Sequence, residues 1–355
     1  MTVADPIELL AELVRRPSVT GDTRQVQRVA TGWLRGFGVR AQNGADGVTA
    51  RIGRDGPALL FISHLDTVPP GEGWTVDPFG AQVRGGKLFG RGATDAKGSA
   101  AAMCAAFAEL AADPKFHGHV LLYLSANEEG DVPAAISAIG RLGAIGAAVV
   151  GEPTMCNVGV AQRGLLVLEL RAASPQVHAA HSHEPSSALL LARDLARVCD
   201  LDFPKADPDL GAVRITPTRL AAGVADNVAP PTATAMLDVR TVPTYTHGEI
   251  TRRIQAACEH CRVSQIGTDW PPVRTPAGHA LQGLALRATG GETSVGAGAS
   301  DWAFLGDIPA VKIGAGDTRI SHRPDEHVAL AQVRKAARIY VKLAKLYFAS
   351  AQASS

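Results

Sequence analysis

Residue types that bind metal ions or move protons recur at five places in the chain. The first is Phe61-Ile62-Ser63-His64-Leu65-Asp66, where an apolar run leads into a histidine and an aspartate. Two positions apart in extended backbone, His64 and Asp66 point the same way. That suits an imidazole ligand steadied by a carboxylate. The second place is the glycine-rich turn Gly90-Arg91-Gly92-Ala93-Thr94-Asp95-Ala96-Lys97-Gly98, just before a predicted helix. A phosphate loop needs glycine, then lysine, then serine or threonine, and here Gly98 intervenes between Lys97 and Ser99. A carboxylate at this turn can instead reach two cations at once. The third is the adjacent pair Glu128 and Glu129, which repel each other unless a cation lies between them. With a metal present, one ligates and the other is left to take a proton from water. Glu152, just past the apolar Val149 and Val150, is the fourth. His322, in a loop rich in glycine and charge, is the fifth.

Each feature alone has an ordinary explanation in hydrogen bonding or solvated charge. Together they supply two histidines and three carboxylates as ligands, one carboxylate being shared. That is enough for two four-coordinate zinc ions with open positions for water.

The elements that must position these residues alternate. Pro6 to Arg15 and Thr23 to Phe37 read as helices with apolar residues at three-four spacing. Ala58 to Ser63, His119 to Ser125 and Ala147 to Val150 read as buried strands, with helices at Lys97 to Ala112 and Pro133 to Leu142. This is the pattern of an α/β fold, a mostly parallel sheet with helices on both faces. In open α/β sheets, sites form beyond the carboxyl ends of strands, and that is where the five places fall. After Arg163-Gly164 the order becomes β-α-β-β-α-(β), an α+β split βαβ arrangement. Asp269 to Pro272 reads as a linker back, and Leu330 to Phe348 as a terminal helix. The expected organisation is a catalytic domain of 1–163 and 271–355, with 164–270 inserted.

Composition narrows the class. The 355 residues carry a formal net charge of +1, 46% hydrophobic and 19% charged residues, a globular balance without the basic footprint of a nucleic-acid binder. Met1 to Leu13 lacks a signal pattern, and the apolar stretch Ala134 to Val150 is broken by Arg141 and glycines, so the expectation is a cytoplasmic protein off the membrane. Five scattered cysteines argue against a disulfide framework. The single Cys258-Glu259-His260-Cys261 pair lacks the second ligand pair of a zinc knuckle, which makes a reduced helix end its ordinary reading.

These motifs resemble those of the zinc-dependent aminoacylase and carboxypeptidase family, which includes acetylornithine deacetylase, succinyl-diaminopimelate desuccinylase and glutamate carboxypeptidases. The resemblance runs nearly the whole chain. It implies two zinc ions per subunit, replaceable by cobalt, bridged by Asp95. His64 and Glu152 would complete one site, Glu129 and His322 the other. Glu128 would be the general base and acid, with Asp66 orienting His64. The family also implies a cis peptide at Asp95-Ala96. In the inserted segment, His178-Ala179-Ala180-His181 matches the family's lid histidine best at His181, with His178 the alternative. That histidine is implied to reach the active site of a partner subunit in a homodimer. Asn227 and Arg240 match substrate-binding motifs of the lid, and Ser300 lies in a Gly298-Ala299-Ser300-Asp301 loop where the family has Gly-Thr-Ser-Asp. The implied substrate is an N-acyl amino acid. An N-acetylated basic amino acid of arginine or lysine biosynthesis is favoured, and the lid segment is reminiscent of a deacylase whose substrate a carrier protein presents. The alternatives are a succinyl-diaminopimelate desuccinylase, a dipeptidase or carboxypeptidase, and a non-catalytic binding protein on the same scaffold.

Overall fold

The structure is a computed structural model and describes residues 4–130 and 134–352. In chain order the main elements begin with α1 (Pro6–Val14), α2 (Arg24–Gly36), β1 (Ala41–Gly44), β2 (Gly47–Ile52), β3 (Ala58–His64) and α3 (Gly98–Ala112). Next come β4 (Val120–Ser125), β5 (Ile145–Val150), β6 (Val158–Gln162), β7 (Gly164–Ala173), α4 (Ser187–Cys199), β8 (Arg214–Ala222) and β9 (Thr232–Thr241). The chain ends with α5 (His247–Ala257), β10 (Arg262–Trp270), α6 (Ala280–Thr289), β11 (Ala310–Lys312) and α7 (Leu330–Gln352). The described residues fall into two compact units, one from 1–161, 274–294 and 300–355, the other from 162–273 and 295–299. The stretch 295–299, read from sequence with the catalytic domain, thus groups with the inserted segment. Its tie is the Arg163 N–H, which donates to the Gly296 carbonyl at 3.0 Å.

The first unit is built on a mixed sheet in the order β1-β2-β4-β3-β5-β11-β6. β4, β3, β5 and β11 run parallel, while β1, β2 and β6 are antiparallel to their neighbours. Every residue of β3 and β4 is buried, as parallel strands covered on both faces must be. Helix α3 is buried almost throughout because its alanines let it lie close to α1 and α7. Sequence periodicity missed the β1-β2 hairpin, whose first strand buries only Ala41 and exposes Gln42, Asn43 and Gly44. Gly47 closes it at φ +142°, and a Cβ there would lie 2.1 Å from the Leu124 carbonyl oxygen. The helix read at Pro133 to Leu142 is shorter, Ala135–Ala138 followed by a 3-10 turn at Ile139–Arg141, and Pro133 lies outside the described residues. Among the described residues, no helix is long and apolar enough to cross a membrane.

Helix α1 illustrates how local chemistry fixes an element. Asp5 caps it, accepting the Ile7 N–H at 3.1 Å, and Pro6 occupies its first turn. The same carboxylate pairs with Arg334 of α7 at 2.9 Å. The Arg334 hydrogen bond, opposed by partial burial and helped by the cap, holds the Asp5 carboxyl below its ordinary 3.8. A depressed carboxylate stabilises the fold above its unfolded pKa, and that contribution is lost as pH falls through the lower folded value. Asn caps as well as Asp, so Asp5→Asn isolates the charge. It should cost only about 0.2–1 kcal/mol at neutral pH, because both partners are partly exposed. Urea midpoints of wild type and variant should converge once the pH has fallen past the folded-state value, itself below 3.8; a gap that persists at still lower pH would show that the loss is steric.

The second unit is an antiparallel sheet in the order β8-β9-β7-β10. Strand β7 alternates buried and half-buried residues, and α4 packs on β7 and β9 while α5 packs on α4 and β10. Asp269 and Trp270, read as linker, are the end of β10. The Cys258 to Cys261 turn is organised by Asp194 of α4, whose buried carboxylate accepts the N–H groups of Glu259, His260 and Cys261 at 3.2, 2.7 and 2.7 Å. Burial, then the charge of Asp194, pushes the Cys258 thiol up to about 11 and the Cys261 thiol up to about 12. Neither is poised as a thiolate, so this pair is a structural turn.

Candidate metal centre

The five expected ligands converge within the first unit. His64 ends β3, Asp95 lies in the turn before α3, Glu129 follows β4, Glu152 follows β5, and His322 lies in the loop after β11. His64 Nε2 is 3.3 Å from Asp95 Oδ1 and 3.5 Å from Glu152 Oε1. His322 Nε2 is 2.9 Å from Glu129 Oε1 and 3.5 Å from Asp95 Oδ2. The two oxygens of Asp95 therefore face different histidines, one paired with Glu152 and the other with Glu129. His64, Asp95 and Glu129 also offer donor atoms that all lie within 4.8 Å of one another. The Asp95-Ala96 peptide is cis. His322 holds a left-handed backbone at φ +62°, uncommon for a residue with a side chain and frequent at functional positions.

The electrostatics are those of a cluster built around cations. Burial first, then repulsion from Asp95 and Glu129, pushes the Glu152 carboxyl up to about 8, against the pull of His64 and Lys312. Burial also holds Glu128 well above the usual carboxylate range, with Glu129, Glu152 and Asp301 adding to it and His64 opposing. Burial works against a charged His64, yet its bonds to Asp66 and Asp95 hold it well above 6.5. Buried carboxylates crowded this closely stay ionised only with positive charge among them. Nitrogen and carboxylate donors in this number fit two zinc-like ions.

Asp66 lies beside His64 and also holds other groups. His64 Nδ1 lies 3.0 Å from the backbone carbonyl of Asp66, and 3.6 Å from its carboxylate. The carboxylate also accepts the N–H groups of Glu128 and Glu129, each at 3.0 Å, and the Thr20 hydroxyl at 2.7 Å. Asp66 thus braces the backbone that carries both glutamates, while its main chain orients His64.

Of the residues expected to bind substrate or polarise it, His181, Asn227 and Arg240 belong to the second unit. His181 is exposed at the end of a short turn, Ala179–His181. His178 Nδ1 accepts the Ala180 N–H at 3.1 Å, so His178 is engaged as a cap. Asn227 is exposed, and its carbonyl accepts the Ala179 N–H at 2.8 Å. Arg240 is chelated by Asp238 through bonds of 2.8 and 3.0 Å, which gives it a partner within its own strand. In the first unit, Ser300 is fully buried, and its main-chain carbonyl accepts the Ala303 N–H.

Three further residues belong to the site and were not singled out from sequence. Glu326 is buried and accepts the N–H groups of Thr94 at 2.9 Å and Asp95 at 3.1 Å, while pairing with buried Arg91. It aims the turn that carries Asp95, and its proximity in sequence to His322 was the available signal. Asp301 is buried with neither oxygen hydrogen-bonded, and burial first, then the Asp66 charge, pushes it up to about 7. Lys312, at the end of β11, is 8% exposed. Burial lowers its pKa, against Glu152, Glu128 and Asp95. If Glu326 steadies Asp95, Glu326→Gln should weaken metal binding about 10- to 100-fold, read by chelator competition. Unchanged affinity would show the brace to be idle.

The sequence pattern of peptidase family M20/M25/M40 matches residues 60–346. The chain belongs to that family. It is a metal-dependent hydrolase of the M20 type. Among similar proteins is the succinyl-diaminopimelate desuccinylase of Acidiphilium cryptum, 32% identical over 373 residues, covering 97% of this chain and 98% of that protein. The protein of the same description from Novosphingobium aromaticivorans is 33% identical, covering 97% and 99%. The M20 fold is shared with solved structures. A metallo-carboxypeptidase of Sulfolobus solfataricus superposes with a TM-score of 0.81 at 19% identity, covering 97% and 99% of the two chains. A Bacillus subtilis protein described as a dinuclear metal-binding M20 peptidase superposes with a TM-score of 0.73 at 18% identity, covering 96% of each.

Proposed function

We propose that this M20 hydrolase is a di-zinc deacylase that cleaves the amide of an N-acyl amino acid. The observation that carries the reading is the division of Asp95, one oxygen toward His64 and Glu152 and the other toward Glu129 and His322. His64, Asp95 and Glu152 would hold one ion, and Asp95, Glu129 and His322 the other. When bound, the pair supplies Lewis acidity toward an amide carbonyl and toward water. Glu128, buried beside the cluster but not among the paired ligands, takes a proton from the attacking water and gives it to the leaving nitrogen. Its raised pKa suits a group that must hold that proton between the two steps. Asp66 keeps Glu128 in place through its backbone N–H.

Two substrates compete within this chemistry. The sequence favoured an N-acetylated basic amino acid, whereas the relatives described as succinyl-diaminopimelate desuccinylases favour an N-succinyl substrate. The test is amine release from a panel of N-acetyl and N-succinyl amino acids and dipeptides, with zinc or cobalt added and metal content measured. Absence of turnover on every member, at two metals per chain, would overturn the deacylase reading.

The reading includes a homodimer formed through the second unit, with His181 acting on the partner's bound substrate. In support, β8 is an outer strand of its sheet and largely exposed, the kind of edge that pairing or cover protects. Mixing inactive Glu128→Gln subunits with inactive His181→Ala subunits should then restore activity, because each hybrid contains one intact site. No recovery after verified subunit exchange would confine His181 to its own chain.

A further inference from the structure

We infer that Lys312 is a specificity-determining residue, holding a carboxylate of the substrate beside the scissile amide. This rests on the deacylase reading and adds the substrate's charge to it. Lys312 ends β11, which runs parallel to β5 with Lys312 opposite Val150, two residues before Glu152. It therefore stands at the same carboxyl edge of the sheet as His64 and Glu152, the edge at which ligands bind in such sheets.

The ladder fixes where its stem begins. Across from Lys312 is Gly159 of β6. A Cβ on Gly159 would lie 2.9 Å from Lys312 Cβ and 3.2 Å from its carbonyl oxygen, so the two strands approach here as closely as a glycine permits. The charge at its end is felt by Glu152, Glu128 and Asp95. Yet among the described residues no carboxylate lies within ion-pair distance of it. The ammonium of this largely buried side chain has three donors to satisfy and accepts nothing.

The neighbouring buried cations are already committed. Arg91 pairs with Glu326 and donates to the Pro70 carbonyl at 2.9 Å. Lys97 donates to the carbonyls of Leu13 and Arg16 at 3.0 and 3.2 Å. Lys312 has no such duty, and the group that fits it is an anion brought in by the substrate. A carboxylate on the acyl half, as in a succinyl group, and the carboxylate of the amino acid half share this chemistry.

Binding should be measured on the zinc-loaded Glu128→Gln protein, which holds substrate without cleaving it, and on the same protein carrying Lys312→Met. The probes are N-succinyl-L-ornithine, N-acetyl-L-ornithine and N-acetyl-L-ornithine amide, titrated calorimetrically. Loss of a charge-assisted hydrogen bond should weaken the probe that uses Lys312 about 10- to 100-fold and leave the probe lacking that carboxylate unchanged. Selective weakening of the succinyl probe places the contact on the acyl half. Weakening of both acids but not the amide places it on the amino acid half. Lys312→Arg should restore part of the affinity, which a packing role would not allow. Equal weakening of all three probes, no weakening, no binding of any probe, or a changed zinc content in Lys312→Met would each overturn the assignment. The deacylase reading fails separately, if the wild-type enzyme binds these probes in a Lys312-dependent way and cleaves none of the amides.

Discussion

The Glu128→Gln enzyme should keep its metal and lose about 10²–10⁴-fold in turnover, or more. Glutamine preserves the volume and a hydrogen-bonding oxygen but cannot carry a proton from water to nitrogen. Its neighbour should behave oppositely. Glu129 is 2.9 Å from His322, inside one of the two donor sets, and Glu129→Gln should lower metal occupancy first and activity as a consequence. Metal analysis beside single-turnover rates therefore separates two adjacent residues of the same type. Near-normal turnover by a metal-replete Glu128→Gln protein would move the base elsewhere and remove the central step of the mechanism.

Asp194→Ala should be the most damaging substitution outside the metal site. It removes the acceptor of three backbone N–H groups and of Arg197, all gathered at one buried carboxylate. Of those donors the Cys261 N–H belongs to a buried residue, while Glu259, His260 and Arg197 could turn to water only by loosening the turn. Breaking buried charged arrangements of this kind costs about 3–5 kcal/mol. The loss should appear as a lower denaturation midpoint, with early hydrogen exchange at Glu259, His260 and Cys261. Asp194→Asn should recover part of it, since an amide oxygen can still accept. A midpoint within error of wild type for Asp194→Ala would show that water satisfies the turn.

The convergence of the five candidate ligands was legible in sequence because each follows a strand or sits in a glycine turn, and strand ends in parallel sheets are where sites form. The buried runs of β3, β4 and β5 were legible for the same reason, since strands covered on both faces are apolar throughout. What escaped were roles that depend on contacts distant in sequence. Glu326 is 231 positions from the Asp95 N–H it holds, and its nearness in sequence to His322 places it by the site without revealing that contact. Asp66 was legible as part of the site, yet spacing alone could not show that its carboxylate turns toward Glu128 and Glu129. Arg240 is a separate case: its partner Asp238 is only two positions away, and the pairing of their side chains along one strand is visible only in the fold. Ser300 shows the converse: a hydroxyl in a suggestive loop, fully buried once the chain is folded. The β1-β2 hairpin was missed because a polar edge strand carries little hydrophobic period.

The close approach of Gly159 to Lys312 has a consequence for inheritance. A Cβ on the glycine would meet the Cβ and the main-chain carbonyl of a residue 153 positions later, atoms that almost any residue there would present. The constraint therefore runs one way. A related chain that acquires alanine or anything larger at the earlier position must shift the ladder, whatever stands opposite. Lineages that lose this lysine should still keep the glycine, so the charge can change while the strand that frames it cannot.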